Sequence, residues 1–251
     1  MVNLVVAGAA DPMAQFAIKR IIPLELFGYD ISFTNSSLFM VLALVLISVY
    51  LIAAMNSRAL VPGRLQSTAE STYEFVAGIV RENLGEDGKK FFPWVFTIFI
   101  FILTLNMLGM IPGSFTVTSH IIVTFALAAM VWVVATIVGF VRHGTHYLKL
   151  FVPDGVPIWL MPLIVPIEIV SYLIRPISLS VRLFANMMAG HTMLKVFAGF
   201  AVSLPFVAKA LPVLFTAAFT GLEFLVSFLQ AFIFTVLTCI YLNDAVHMHD
   251  H

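Results

Sequence analysis

Apolar residues fill long stretches of the chain, and the polar positions that interrupt them mark the elements. A nearly unbroken apolar run at about 32–55, closed by Arg58 and Arg64, predicts a first membrane-crossing helix. The next segment, about 66–84, sets Glu70, Glu74, Arg81 and Glu82 beside Tyr73, Phe75, Val76, Ile79 and Val80. That mixture suits an amphipathic helix lying on the membrane surface better than a crossing one. Runs at about 91–111 and 120–141 predict a second and a third crossing, joined by a short polar loop.

The last two apolar runs, about 164–202 and 205–241, are each nearly twice the ~20 residues that a crossing needs. Dividing the first fails, because 163–174 is too short to cross alone. As single helices they would be roughly 55–58 Å long at 1.5 Å per residue. Fitting that length into a ~30 Å hydrocarbon layer requires a tilt of roughly 60°, against a usual tilt of about 20°. The pattern therefore predicts two long, strongly inclined helices side by side, with Pro176 and Pro212 available to bend them. The expected fold is all-α: an integral membrane protein with five membrane-crossing helices and one amphipathic interfacial helix. Residues 1–31 form an outer-side N-terminal segment, and 32–251 a single membrane domain.

Composition agrees with this reading. The chain is 61% hydrophobic and 10% charged, whereas ordinary soluble domains carry about 25% charged residues. A formal net charge of zero argues against a nucleic-acid partner. The single cysteine, Cys239, excludes an internal disulfide framework and reads as a small core residue. Residues 2–10 resemble a signal core but lack a basic leader and run straight into Asp11, so no cleaved signal is expected. No repeat of fixed period and no inverted repeat of the kind found in many transporters is visible.

Arg58, Arg64, Arg81, Lys89 and Lys90 share one loop region, and Arg142 and Lys149 another, whereas 112–119 holds no basic residue. The positive-inside rule makes the two basic loops cytoplasmic (or matrix-side) and starts the first crossing outside. Lys19 and Lys209 then lie outside, against the rule, and five crossings leave the C-terminus inside.

Candidate chemistry lies on the two inclined helices. Glu168, Arg175 and Arg182 are spaced by seven. Helical geometry brings Glu168 and Arg182 within about 40° of one another and about 21 Å apart along the axis. Asn186 continues the Arg182 face, while His191, nine residues beyond Arg182, turns to roughly the opposite side. The second inclined helix carries Glu223 and Gln230, again seven apart on one face. With the topology above, Glu168 lies on the inner side of Arg182, and His191 with Glu223 on the outer side.

Arg182 cannot shed its charge at membrane depth, so it requires an anionic partner or an aqueous cavity. The two titratable clusters read as two half-paths separated by a fixed cation. Blander readings stand beside this one. Glu168 could simply pair with Arg175, His191 could be a hydrogen-bonded structural histidine, and Asn186 and Gln230 could be interhelical glue. A lone carboxylate such as Glu223, deep in an apolar helix, needs a protonated state or a partner. Asn106 reads as packing glue, and His247, His249 and His251 as a solvated tail rather than a metal site. No cofactor is expected.

The run around Arg182, with Leu183-Phe184-Ala185-Asn186-Met187 and Ala189-Gly190-His191, resembles the signature of subunit a of rotary F-type ATP synthases. The stretch from Leu229 through Gln230 to Leu237 resembles its second signature, and Asn106 with Leu108 to Pro112 also fits. The resemblance covers about 35–242. It implies that Arg182 faces a rotating ring of c-subunits and discharges the carboxylate that each carries. It also implies that Glu168 serves an inner half-channel, that Gln230 sits beside the arginine, and that His191 and Glu223 form an outer pair. In some members the acid and histidine of that pair are exchanged between the two helices, and the arrangement here looks like the mitochondrial and alphaproteobacterial one.

Implied partners are the c-ring, b-type peripheral stalk subunits, the other synthase subunits and lipid, with protons rather than sodium as the cargo. The absence of a Gly-rich phosphate loop fits a subunit with no ATP site of its own. A bacterial inner membrane is the expected location, with the mitochondrial inner membrane as the alternative. Two rivals are a secondary transporter with Arg182 at an anionic-substrate site and a non-catalytic membrane scaffold.

Overall fold

The computed structural model describes residues 16–23, 25–26, 29–30, 32–56, 62–111, 113–152, 157–205 and 210–247. The apolar stretch at 2–10, together with Arg58, Lys209, His249 and His251, lies outside the described residues. Among the described residues there are six long helices: α1 (Asn35–Asn56), α2 (Arg64–Leu84), α3 (Gly88–Gly109), α4 (Ile121–His143), α5 (Met161–Ser203) and α6 (Ala210–Val246). Counting α2 and α3 with the turn between them as one helical stretch, five are long and apolar enough to cross a membrane. The fold is that of an all-α membrane protein. Among the described residues ahead of α1, four short strands form two antiparallel pairs, β1 (Arg20–Ile22) with β4 (Phe33–Thr34) and β2 (Glu25–Leu26) with β3 (Tyr29–Asp30).

α1 turns most of its apolar side chains outward: Val49 is 59% exposed and Ile52 68%. Such a surface is stable only against lipid or another apolar face. α2 behaves differently. It buries Val76, Ile79, Val80 and Leu84, one stripe at helical spacing, and leaves its acidic groups outside. Gly85 ends it at φ +58°, where its N–H reaches the Arg81 carbonyl; a side chain would strain that left-handed turn.

α5 and α6 span 43 and 37 residues, about 65 and 56 Å by helical rise. Pro166 and Pro176 both lie inside α5. Pro212 is the third residue of α6, where the missing N–H leaves no hydrogen bond unmade, so it starts this helix rather than bending it.

The chain forms two compact units. One comprises Met1–Val49, Phe101–His120 and Leu183–Gln230. Within it, Asn35 holds the stretch around Ala17 and Lys19: its Nδ2 donates to the Ala17 carbonyl and its Oδ1 accepts from the Lys19 backbone N–H. His120, in the loop after α3, bonds through Nε2 to the Phe16 carbonyl oxygen and stacks on Phe115.

The second unit comprises Tyr50–Ile100, Ile121–Arg182 and Ala231–His251. Phe75 of α2 meets Phe99 of α3 and Phe232 of α6. Tyr172 of α5 is a hub. Its ring touches Trp132 and Phe151, and its hydroxyl lies 2.6 Å from Thr136 Oγ1 and 3.1 Å from the Tyr147 hydroxyl. Tyr147 in turn packs so closely on Gly139 of α4 that a Cβ there would overlap its ring.

At one end of this unit Asp87, in the turn between α2 and α3, accepts two hydrogen bonds of 3.1 Å from Arg142 Nη2, and His247 Nε2 lies 3.6 Å from it. Three parts of the sequence that the charge rule assigns to one side are thus drawn together. The Arg142 hydrogen bond holds the Asp87 carboxyl below the usual carboxylate range. A carboxyl with a lowered folded pKa contributes stability above its unfolded pKa of about 3.9, and that contribution is lost as pH falls through the folded value. Asp87→Asn should therefore lower the unfolding temperature slightly at neutral pH, and the difference from the parent should shrink below about pH 4. Thermal scans in detergent across that range check this.

Candidate functional site

Within the first unit, α5 and α6 run antiparallel, joined by a ladder of contacts. Phe197 stacks on Phe215 and Phe219, His191 meets Glu223, Met187 lies against Ser227, and Asn186 meets Gln230. Each step towards the N-terminus on one helix is matched by a step towards the C-terminus on the other. The polar members therefore fall into rungs instead of scattering around the helices.

The His191 rung is almost fully enclosed. Nδ1 of His191 lies 2.5 Å from Oε1 of Glu223, with the residues 7% and 6% exposed. The approach is not an aligned hydrogen bond, and neither Nε2 of His191 nor Oε2 of Glu223 finds a partner among the described residues. In an apolar setting a buried carboxyl group beside an imidazole avoids the cost that each would carry as an isolated charge.

Gly190 makes this contact sterically feasible. A Cβ at that position would stand 2.8 Å from Oε1 of Glu223 and 3.1 Å from its Cδ. The glycine was visible in sequence only as part of a motif; its packing role depends on which residue of α6 lies opposite. In the next polar rung Nδ2 of Asn186 donates to Oε1 of Gln230 at 2.9 Å, and Gln230, 1% exposed, keeps a buried Nε2 without a partner among the described residues. Asn106 of α3 donates to the Ser227 carbonyl, the packing role expected of it.

Arg182, in the second unit, is exposed on α5. It forms no hydrogen bond or ion pair with any described residue. Glu168, also in that unit, is half-buried and likewise without such a partner among the described residues. The Glu168–Arg175 pair weighed as an alternative is not formed. Arg175 Nη1 instead donates to Oδ2 of Asp244 at 2.9 Å, while its guanidinium carbon lies 5.5 Å from the Tyr172 ring centre and 5.4 Å from that of Tyr241. Asp244 was missed because the apolar run ends at 241, ahead of the polar Asn243-Asp244 turn. No group of three or more His, Cys, Asp or Glu suited to a metal ion occurs among the described residues.

A family model described as the ATP synthase A chain matches residues 37–243. A protein of Rhizobium etli named ATP synthase subunit a is 56% identical over 247 residues, covering 96% of this chain and 99% of the relative. Its namesake in Rhizobium rhizogenes is 57% identical over 249 residues, covering 97% and 100%. That of Paramagnetospirillum magneticum is 53% identical over 246 residues, covering 96% and 100%. The chain belongs to the ATP synthase A chain family and is a multi-pass membrane protein of ATP synthesis and proton transport.

Gly190→Ala should force Glu223 out of its place and destabilise the protein by about 1–3 kcal/mol, the usual cost of overpacking. Gly221→Ala is the matched control, because nothing lies within 4 Å of an added Cβ there; it should be neutral or stabilising by up to about 1 kcal/mol. Thermal unfolding of the two variants side by side tests the difference.

Proposed function

We propose that this chain is the proton-translocating stator subunit of the synthase's membrane sector, forming two offset half-channels against a ring of c-subunits. Family membership makes it part of the ATP synthase complex. The observation that carries the finer reading is Arg182: a permanent cation, exposed on a long apolar helix, without an anion among the described residues. A charge in that setting calls for a partner from another chain. A carboxylate moving past on a ring supplies one that comes and goes.

In this mechanism a proton enters from outside through His191 and Glu223 and neutralises a ring carboxylate. The neutral carboxyl can then face lipid, because its desolvation cost is small beside that of the ion. After most of a rotation it meets the inner path and gives up its proton towards Glu168. Arg182 favours the ionised carboxylate by Coulomb attraction and repels a proton that would pass straight between the two paths. The amides of Asn186 and Gln230 support this face without titrating. Each elementary charge moved through 100 mV supplies about 2.3 kcal/mol, so several protons must pass for each ATP made.

The orientation that fits has the N-terminus outside and the Arg142 loop inside, in a bacterial inner membrane. The b-type peripheral stalk subunits would hold the chain against the torque of the ring.

Arg182→Ala in the reconstituted complex should reduce proton-driven ATP synthesis to background, with passive proton leak measured separately in the same vesicles. Coupled synthesis at the parental rate would sink the assignment. Glu223→Gln and Glu168→Gln should each slow proton flux by at least tenfold, in line with the usual 10²–10⁴ worth of a positioned proton-transfer group. Unaltered flux in both would remove them as relay groups.

A further inference from the structure

Two arginines, not one, lie on the same side of α5. Arg175 and Arg182 are seven residues apart, which places them within about 20° of each other and about 10 Å apart along the helix. Both carry charges that cannot be titrated away. A carboxylate approaching this face would meet two cations of equal strength, yet their surroundings differ. Arg175 is held by Asp244, with side chains 31% and 35% exposed, and its guanidinium lies between the rings of Tyr172 and Tyr241. Tyr172 is itself anchored by the Thr136 and Tyr147 hydroxyls, so Arg175 is oriented as well as neutralised.

We propose that Asp244 is a specificity-determining residue: by neutralising Arg175 it leaves Arg182 as the one uncompensated arginine on this face of α5, so that a passing carboxylate engages there and is not trapped two turns away. The inference rests on the proposed function. Without Asp244, Arg175 becomes a decoy that binds the carboxylate before or after its proper station, and each ring step must break an extra ion pair. The aromatic rings alone do not prevent this, since a cation–π contact leaves the net charge in place.

The test uses the intact complex reconstituted in vesicles, with proton-driven ATP synthesis as the readout and assembly of the complex verified for each variant. Asp244→Asn should slow synthesis roughly tenfold, the effect of a barrier raised by about 1.4 kcal/mol. Adding Arg175→Gln should restore the rate to within about twofold of the parent, because the decoy is removed with its neutraliser. An unaffected Asp244→Asn variant overturns the proposal. So does a double variant as slow as the single one, which would make the pair a structural tie between α5 and α6.

Ser178, exposed on α5 between the two arginines, gives a second route should Asp244→Asn fail to assemble. Ser178→Lys adds an uncompensated cation to the same face and should slow synthesis relative to Ser178→Met, which adds similar bulk without charge. Equal rates in these two variants also overturn the proposal. Arg182→Ala run in parallel separates the two levels: parental synthesis there defeats the underlying function, whereas normal Asp244→Asn beside inactive Arg182→Ala defeats this inference alone.

Discussion

The desolvation cost of charge in an apolar helix shapes most of what is unusual about this chain. Glu223, His191, Arg175 and Arg182 stand in different relations to that cost. Glu223 and His191 lie against each other in a nearly closed site. Arg175 takes a carboxylate and two aromatic faces. Arg182 has no such relief from any described residue of its own chain, and it is this lack, rather than the charge itself, on which the proposed function rests.

The antiparallel pairing of α5 with α6 gives these groups their neighbours. Its register brings Gly190 opposite Glu223 and Asn186 opposite Gln230, and a shift of one residue on either helix would break both rungs. Large aromatic contacts at Phe197 and small-residue clearance at Gly190 act together here. The first supplies contact area, and the second permits close approach where the polar groups meet.

The long helices and the amphipathic α2 were legible from apolar run length and spacing, and the His191–Glu223 contact from the family resemblance. Helix ends were less so. α6 continues to Val246, past the expected end at 241, because Asp244 is paired with Arg175 and Asn243 with His247, which offsets the polarity of that turn. The two strand pairs ahead of α1 had no periodic signal, since each strand is two or three residues long. Spacing within one helix was a poor guide to partners: the Glu168–Arg175 pair it offered is not formed, and Arg175 pairs with Asp244 instead. Asp244 for Arg175 and Gly190 for Glu223 depend on contacts between helices, which no single-helix projection contains.

The amide rung beside the acid–histidine pair has an electrical consequence. Asn186 and Gln230 can exchange hydrogen bonds but cannot take up or lose a proton under physiological conditions. Under the proposed function, a rung that passes protons is thus followed by one that does not along the seam between α5 and α6. A proton delivered through His191 and Glu223 would meet a dead end in that direction. On that reading the seam is a terminal rather than a wire, and whatever collects the charge must come to it.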